Sequence, residues 1–283
     1  MNMSRFGRVT IVGLGLIGGS LGLAVRRRRL AARVVGLSRR AATIRRAKRL
    51  GAVDVGTTNA QEAVRDADLV VLATPVETIV PMARRLARWM KPGSLLTDVG
   101  STKASIVRAL ERALPQHVAF VGGHPIAGSE ERGLDAADPR LFDGSACILT
   151  PTPRTSRAAL RRVAAFWMPL VDRVVTMDPR RHDRLLAQTS HLTHLLAYCL
   201  TRSAEAGGLR RCLPPSFLDA TRVAKSDPEL WDDIFLTNRA GVLRAMDRFE
   251  REWRILRRLL ARADRAGLVQ FLKHAQARRN ALD

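Results

Sequence analysis

The sequence predicts a parallel α/β domain followed by an all-α domain, on three observations. A short β-branched run at residues 9–12 leads straight into the glycine-rich string Gly13-Leu14-Gly15-Leu16-Ile17-Gly18. Short apolar runs then alternate with helical patterns as far as Met177, as they do when crossover helices connect parallel strands. From Pro179 onward no strand pattern remains, and leucine-rich helical patterns fill the chain. With 283 residues, 46% of them hydrophobic, the chain can bury two cores of ordinary size. The change of character divides it into residues 1–177 and 178–283.

The glycine string has a mechanism. Gly13 permits a tight turn, Gly15 lets the backbone approach a pyrophosphate, and Gly18 allows the following helix, residues 17–29, to pack closely on the strand. The phosphates then lie at the helix N-terminus, beside Leu16 and Ile17. A second strand at residues 33–37 follows at the spacing of a Rossmann-type dinucleotide site, so the first domain is read as one. The end of that second strand distinguishes the cofactors, because an acidic residue there bonds the ribose 2′-hydroxyl of NAD. This chain has Ser38-Arg39-Arg40 instead. A hydroxyl and two guanidinium groups with no carboxylate favour the 2′-phosphate of NADP, with NAD second. The competing reading makes the two arginines solvated residues at a helix start.

The alternation continues with a strand at residues 68–73, ending in Thr74-Pro75, and a helix over 77–89. A strand at 95–98 ends in Asp98-Val99-Gly100-Ser101-Thr102-Lys103 before a helix reaching about residue 114. Loops at strand ends line the ligand crevice of an open parallel sheet. Thr74 and Pro75 are therefore cofactor candidates and Ser101 a catalytic one, although a serine there could simply cap the next helix. Further strands are expected at 118–121, 146–150 and 171–177, with a helix over 156–167. Helices over 180–206, 217–224, 228–263 and 264–277 follow, punctuated by Gly207-Gly208 and Pro214-Pro215.

Composition narrows the function classes. Lysine and arginine outnumber aspartate and glutamate 48 to 26, for a net charge of +22, which invites a nucleic-acid reading. The excess is dispersed in doublets, and with 5% aromatic residues no stacking rings interleave with the basic ones. Solvated helix faces and attraction for anionic small molecules account for it better. Three cysteines without metal-ligand spacing point to a reducing compartment. The apolar run at residues 9–25 is interrupted by glycines and runs into four arginines, which fits neither a signal peptide nor a membrane span. A cytoplasmic protein is expected.

The strand at 118–121 delivers Gly122-Gly123-His124-Pro125-Ile126-Ala127-Gly128-Ser129-Glu130. Glycines that let the backbone approach a ligand, a histidine fixed by a following proline, and a nearby hydroxyl and carboxylate make His124 the candidate general base. In the helical half, Ser190-His191-Leu192-Thr193-His194 puts two imidazoles on one helix face. No intervening glutamate or third ligand supports a metal there, so the histidines are read as lining an anionic-substrate pocket, against the alternative of ordinary polar core positions. Arg222, just before a helix started by Pro228, could pair bidentately with a carboxylate.

Taken together, the glycine string extended to Leu21, residues 98–103, 123–133, 141–151, 190–194 and 221–235 resemble the prephenate/arogenate dehydrogenase family of tyrosine biosynthesis, in order and across nearly the whole chain. The resemblance implies oxidative decarboxylation of a cyclohexadienol, with His124 accepting the proton of the ring hydroxyl and Ser101 orienting His124 or that hydroxyl. It implies that Arg222 clamps a substrate carboxylate and that His191 and His194 line the pocket. Ser129 and Glu130 stand near the side chain, though Glu130 could instead cap a helix, and Trp231 reaches across from a partner subunit. It further implies that the helical domain pairs two copies into a homodimer. Three other readings stay open. A β-hydroxyacid dehydrogenase would rest on Lys225 and leave His124 unexplained. A 4-amino-4-deoxyprephenate dehydrogenase would share every motif. A nucleotide-sensing protein would bind NADP without turnover.

Overall fold

The computed structural model describes residues 6–204 and 212–282. The predicted Gly207-Gly208 break, the Arg210-Arg211 doublet and the end of the helix expected to reach residue 206 lie outside them. The chain forms two compact units, Met1–Asn238 and Arg239–Asp283. No helix among the described residues is long and apolar enough to cross a membrane.

The first unit is built on one eight-stranded sheet in the order β3-β2-β1-β4-β5-β6-β7-β8. β1 (Phe6–Val12), β2 (Ala31–Leu37), β3 (Val55–Thr57), β4 (Leu69–Leu72), β5 (Ser94–Asp98) and β6 (Val118–Pro125) run parallel. β7 (Ala146–Thr150) turns antiparallel on β6, and β8 (Arg173–Thr176) follows β7. β1 lies between β2 and β4, so the order reverses there and opens a crevice at the carboxyl ends of the strands. β4 is an unbroken Leu-Val-Val-Leu run, and β5 and the last four residues of β1 are buried throughout, as strands covered on both faces must be.

The helices α1 (Leu16–Arg27), α2 (Ala41–Arg49), α3 (Ala60–Val64), α4 (Val76–Ala87), α5 (Ala104–Ala113) and α6 (Arg157–Trp167) supply that cover. One core gathers α1 and α6 over the sheet around Phe6, Phe142, Phe166 and Trp167, with edge-to-face ring contacts at 5.5–5.8 Å. The other gathers α3, α4 and α5, and it also takes in Trp231 and Ile234. The sequence pattern missed β3, α2 and α3, which are short and carry few large apolar residues.

α7 (Pro179–Leu186) opens on the Asp178 N-cap, whose carboxylate accepts from the amides of Arg180 and Arg181. A π-helical turn over Ala187–His191 then joins it to α8 (Leu192–Ser203). The expected single helix is thus bulged by one turn, which changes the face on which His191 lies. α9 (Pro215–Thr221) ends in a 3₁₀ turn over Arg222–Lys225 before α10 (Pro228–Thr237), capped by Asp227. The sequence also predicts one helix over 228–263. The chain instead breaks at Asn238, where φ is −112° and ψ 26°, because the Asn238 amide turns inward to bond residues of α7 and the π turn.

The second unit is a helical hairpin of α11 (Arg239–Ala261) and α12 (Arg265–Asn280). Ala263 takes φ 49° at the turn, and the Asp264 side chain caps α12 through the Gly267 amide. Leu243, Trp253, Leu260 and Leu272 remain exposed on this hairpin.

Candidate active site

The glycine turn lies at the crevice where the strand order reverses. Gly13 takes φ +93°, and a Cβ there would stand 2.3 Å from the Ala73 carbonyl oxygen. A Cβ on Gly18 would stand 1.9 Å from the Gly13 carbonyl oxygen. Protein packing therefore dictates both. Gly15 differs, since a Cβ there would meet nothing within 4 Å. It is the N-cap of α1, no side chain caps the helix, and no acidic residue stands in its first turn. A helix N-terminus with open space before it and no competing carboxylate fits the pyrophosphate of a dinucleotide, held by the amides beside Gly15, Leu16 and Ile17.

The neighbouring strand ends complete that edge. Ser38 Oγ accepts from the Arg40 amide at 3.3 Å, where Arg40 caps α2. Arg39 and Arg40 are exposed. Thr74 and Thr78 share a hydroxyl bond of 2.9 Å, and Pro75 is the exposed N-cap of α4.

β6 changes partner midway, and this places His124. Its first half pairs with β5 and its second half, from Gly122 to Pro125, pairs with β7. His124 thus sits on the strand itself, opposite Ile148. Its flanking glycines serve protein packing rather than close approach of a ligand. A Cβ on Gly122 would stand 2.5 Å from Thr150 Oγ1, and one on Gly123 would stand 2.8 Å from the Asp98 carbonyl oxygen.

Asp98, wholly buried at the end of β5, ties this strand down. One carboxylate oxygen accepts from the Gly123 amide at 3.1 Å, and the other accepts from the Gly100 amide at 3.0 Å and from the ammonium of Lys103, itself wholly buried. The half-buried His124 presents Nδ1 to Nε2 of His182 at 2.9 Å. His182 Nδ1 meets Asp183 Oδ1 at 2.8 Å. Asp183 in turn accepts from the Lys103 amide at 2.7 Å and the Ala104 amide at 2.9 Å, at the start of α5. The contact that orients His124 is thus made by His182, and Ser101, at the end of the same loop, takes no part in it. Burial first, then repulsion from a protonated His182, from the Lys103 ammonium and from a protonated His191, hold the His124 pKa well below the usual imidazole value. His124 is accordingly neutral near pH 7 and able to accept a proton.

The wall beyond is aromatic. His194 stacks on Trp231 with ring centroids 3.4 Å apart, His191 meets the same ring edge-on at 6.1 Å, and Phe235 lies 5.3 Å from it. Trp231 is thus packed against residues of its own chain. Asn238 Nδ2 donates to the Asp183 carbonyl at 2.8 Å and lies 3.3 Å from His191 Nδ1. Burial lowers the His191 pKa to about 4 and lowers that of His194 too.

Arg222 and Glu130 pair at 3.0 Å, with side chains 58% and 32% exposed. So Glu130 caps no helix here. A pair this exposed is largely screened by solvent, and a ligand carboxylate can displace Glu130 at little cost. Ser129, also exposed, accepts from the Glu131 amide at 3.2 Å. Lys225 is exposed and makes no contact with His124.

The sequence reading passed over His182, Asp183, Asp98, Lys103 and Asn238. A signal existed for the first two. His182, Asp183, Leu186, Ala187 and His191 recur at helical spacing and all are buried, while Arg180, Arg181 and Arg184 between them face solvent.

This site stands in a chain that two family models match: prephenate dehydrogenase, nucleotide-binding domain, over residues 21–176, and prephenate dehydrogenase, dimerization domain, over residues 178–274. The chain is 37% identical to a cyclohexadienyl dehydrogenase of Zymomonas mobilis, across 99% of this chain and 97% of that one. Among solved structures it resembles prephenate dehydrogenase from Aquifex aeolicus, crystallised with hydroxyphenyl propionate and NAD+, at 34% identity and a TM-score of 0.91 over the full length of both chains. It also resembles a Synechocystis arogenate dehydrogenase at 27% identity and a TM-score of 0.83, over 98% of this chain and all of that one. Both domain models and a relative matched along nearly its whole length place the chain in the prephenate dehydrogenase family of dinucleotide-dependent oxidoreductases.

Proposed function

We propose that the protein oxidises arogenate and/or prephenate with loss of CO₂, using NADP in preference to NAD, and so forms tyrosine or 4-hydroxyphenylpyruvate. The observation that carries this reading is a neutral histidine whose Nδ1 is engaged by a second imidazole, so that its Nε2 is left to act on substrate. When bound, the nicotinamide ring accepts a hydride from the substrate. His124 Nε2 takes the proton of the ring hydroxyl as its carbon is oxidised, and departure of the ring carboxylate as CO₂ makes the ring aromatic. Arg222 holds a substrate carboxylate in exchange for Glu130, and Trp231, His191 and His194 form an apolar and neutral wall that excludes water.

Ser38, Arg39 and Arg40 support the cofactor preference, since the end of β2 offers a 2′-phosphate a hydroxyl and two exposed guanidinium groups and no carboxylate. Members of the family that use NADP tend toward arogenate, which orders the two substrates. Residues 178–283 act as the substrate and pairing region, with residues 1–177 as the dinucleotide domain. The exposed leucines and Trp253 on α11 and α12 support a homodimer.

The test is reduction of NADP and of NAD by the purified protein with each substrate in turn. Turnover with NADP at least tenfold more efficient than with NAD is expected, and Arg39→Ala/Arg40→Ala should narrow that ratio. No turnover with either substrate would refute the reading, and an unchanged ratio in the double variant would refute the cofactor assignment.

A further inference from the structure

The base that touches substrate has a partner that its own role leaves unexplained. His182 is fully buried, one face against His124 and the other against Asp183. Hydrogen-bond bookkeeping along this row fixes every proton. Both Asp183 oxygens receive backbone amides at the N-terminus of α5, from Lys103 and Ala104, an environment that favours the carboxylate anion. An anion can only accept, so the 2.8 Å contact requires His182 to donate from Nδ1. A neutral His182 then has its lone pair on Nε2, and the 2.9 Å contact requires His124 to donate from Nδ1. The lone pair of His124 is thereby confined to Nε2.

We infer that His182, held by Asp183, is the positioning residue that fixes His124 as its Nδ1–H tautomer and takes up the proton that His124 gains during turnover. The inference rests on the proposed role of His124. The step balances. The substrate hydroxyl gives its proton to His124 Nε2, the Nδ1 proton of His124 passes to His182 Nε2, and the resulting imidazolium shares its other proton with the Asp183 carboxylate. The O–H electron pair stays on the substrate oxygen, only N–H pairs move along the relay, and the proton returns to the phenolate oxygen once CO₂ has left, so the overall reaction releases none. Burial keeps His182 neutral at rest, with Asp183 acting in the opposite sense, so the proton has a site that is empty before turnover and stabilised afterwards. The surrounding charged and titratable groups are the Asp98 and Lys103 pair, His191 and Asp183. Of these, Asp183 alone bonds the His182 ring among the described residues.

The tautomer can be read without turnover. In the protein labelled with ¹⁵N at histidine, near pH 7.5, His124 should show a protonated Nδ1 and a bare Nε2. A bare Nδ1 would overturn the inference whatever the substrate proves to be. Two variants separate the two parts of the role. His182→Gln keeps a carbonyl acceptor for His124 Nδ1 and cannot take a proton, while His182→Leu offers neither. The expected order of kcat is wild type above His182→Gln above His182→Leu, with the last lower by ~10²-fold or more, the scale at which a mis-set imidazole fails. The KM for the dinucleotide should stay within about twofold of wild type, because the ring bonds that His182 makes, to His124 and Asp183, involve no residue of the glycine turn. The acid limb of the kcat profile should move in His182→Leu and stay in place in a variant that only loosens packing. A His182→Leu enzyme within threefold of wild type would also overturn the inference, whereas failure of the wild-type enzyme to turn over either substrate would remove the proposed function and leave the tautomer result standing.

Discussion

Replacement of Asp98 by Asn probes how the base is held. Asp98 and Lys103 have no exposed surface and form an ion pair, and the same carboxylate accepts from the Gly123 and Gly100 amides. The Asn amide keeps one oxygen acceptor, loses the other, and leaves the Lys103 ammonium buried without a counter-charge. Breaking a buried pair from one side costs about 3–5 kcal/mol. Adding Lys103→Met removes the orphaned cation and fills its space, so the double variant should recover to within about 1–3 kcal/mol of wild type, the residual being the amide that lost its acceptor. The two substitutions are then strongly coupled, by about 2 kcal/mol or more. Urea unfolding followed by fluorescence measures this cycle, because Trp167 is wholly buried beside Phe142 and Phe166. A single Asp98→Asn variant within 1 kcal/mol of wild type, or a double variant less stable than the single, would refute the argument that the pair is an electrostatic clamp on β6. Activity should fall with the clamp even where folding survives, since displacing a base by about 1 Å can cost ~10²-fold.

Three further outcomes follow from the same geometry. Gly15→Ala should leave stability within about 1 kcal/mol and raise the KM for the dinucleotide at least tenfold, whereas Gly18→Ala, whose Cβ would meet the Gly13 carbonyl, should destabilise the fold itself. Equal stability of the two in urea would contradict the packing argument. His191 is held at about 4 by burial, so the folded state binds fewer protons than the unfolded one between there and the usual imidazole value. Its contribution of about 3 kcal/mol is therefore complete above that range and lost as pH falls toward 4. Unfolding free energies measured from pH 8 to 4 should fall less steeply for His191→Gln than for wild type, and parallel slopes would show that His191 is not buried neutral. Finally, the acid limb of kcat/KM, which reports the free enzyme, should lie at lower pH than that of kcat. Coincident limbs would show that bound carboxylates do not reach His124.

The parallel sheet, the crevice and the position of His124 were legible because each follows from a local rule: β-branched runs, a glycine turn, and a strand end that must face the crevice. The helical half was less legible. Periodicity over residues 180–206 and 228–263 runs on without interruption, because a π turn changes the face without changing composition and Asn238 breaks its helix by a bond to residues over forty positions away. Gly122 and Gly123 were misread for a related reason. Nothing local shows that Thr150 and Asp98 approach them from other strands. His182 stood among arginines, and an average over that stretch reads as a solvated face although its inward residues are a histidine and an aspartate.

The distribution of charge around the base has its own logic. A guanidinium against His124 would bind an anionic substrate well and would also weaken the base by penalising its protonated form. The arginines are instead at the mouth, where Arg222 is more than half exposed and paired with Glu130, while the cation deep in the site, Lys103, is matched by Asp98. What lowers the proton affinity of His124 most is burial, a penalty that an arriving carboxylate can offset. A substrate that carries two carboxylates brings negative potential into a pocket of low dielectric, where it acts over several ångströms. The resting imidazole is thereby kept neutral, and it becomes a stronger base when the molecule whose proton it must take is in place. A site built with a permanent cation beside the histidine would lose that coupling, and one built with a permanent carboxylate there would hold the imidazole protonated and unable to accept.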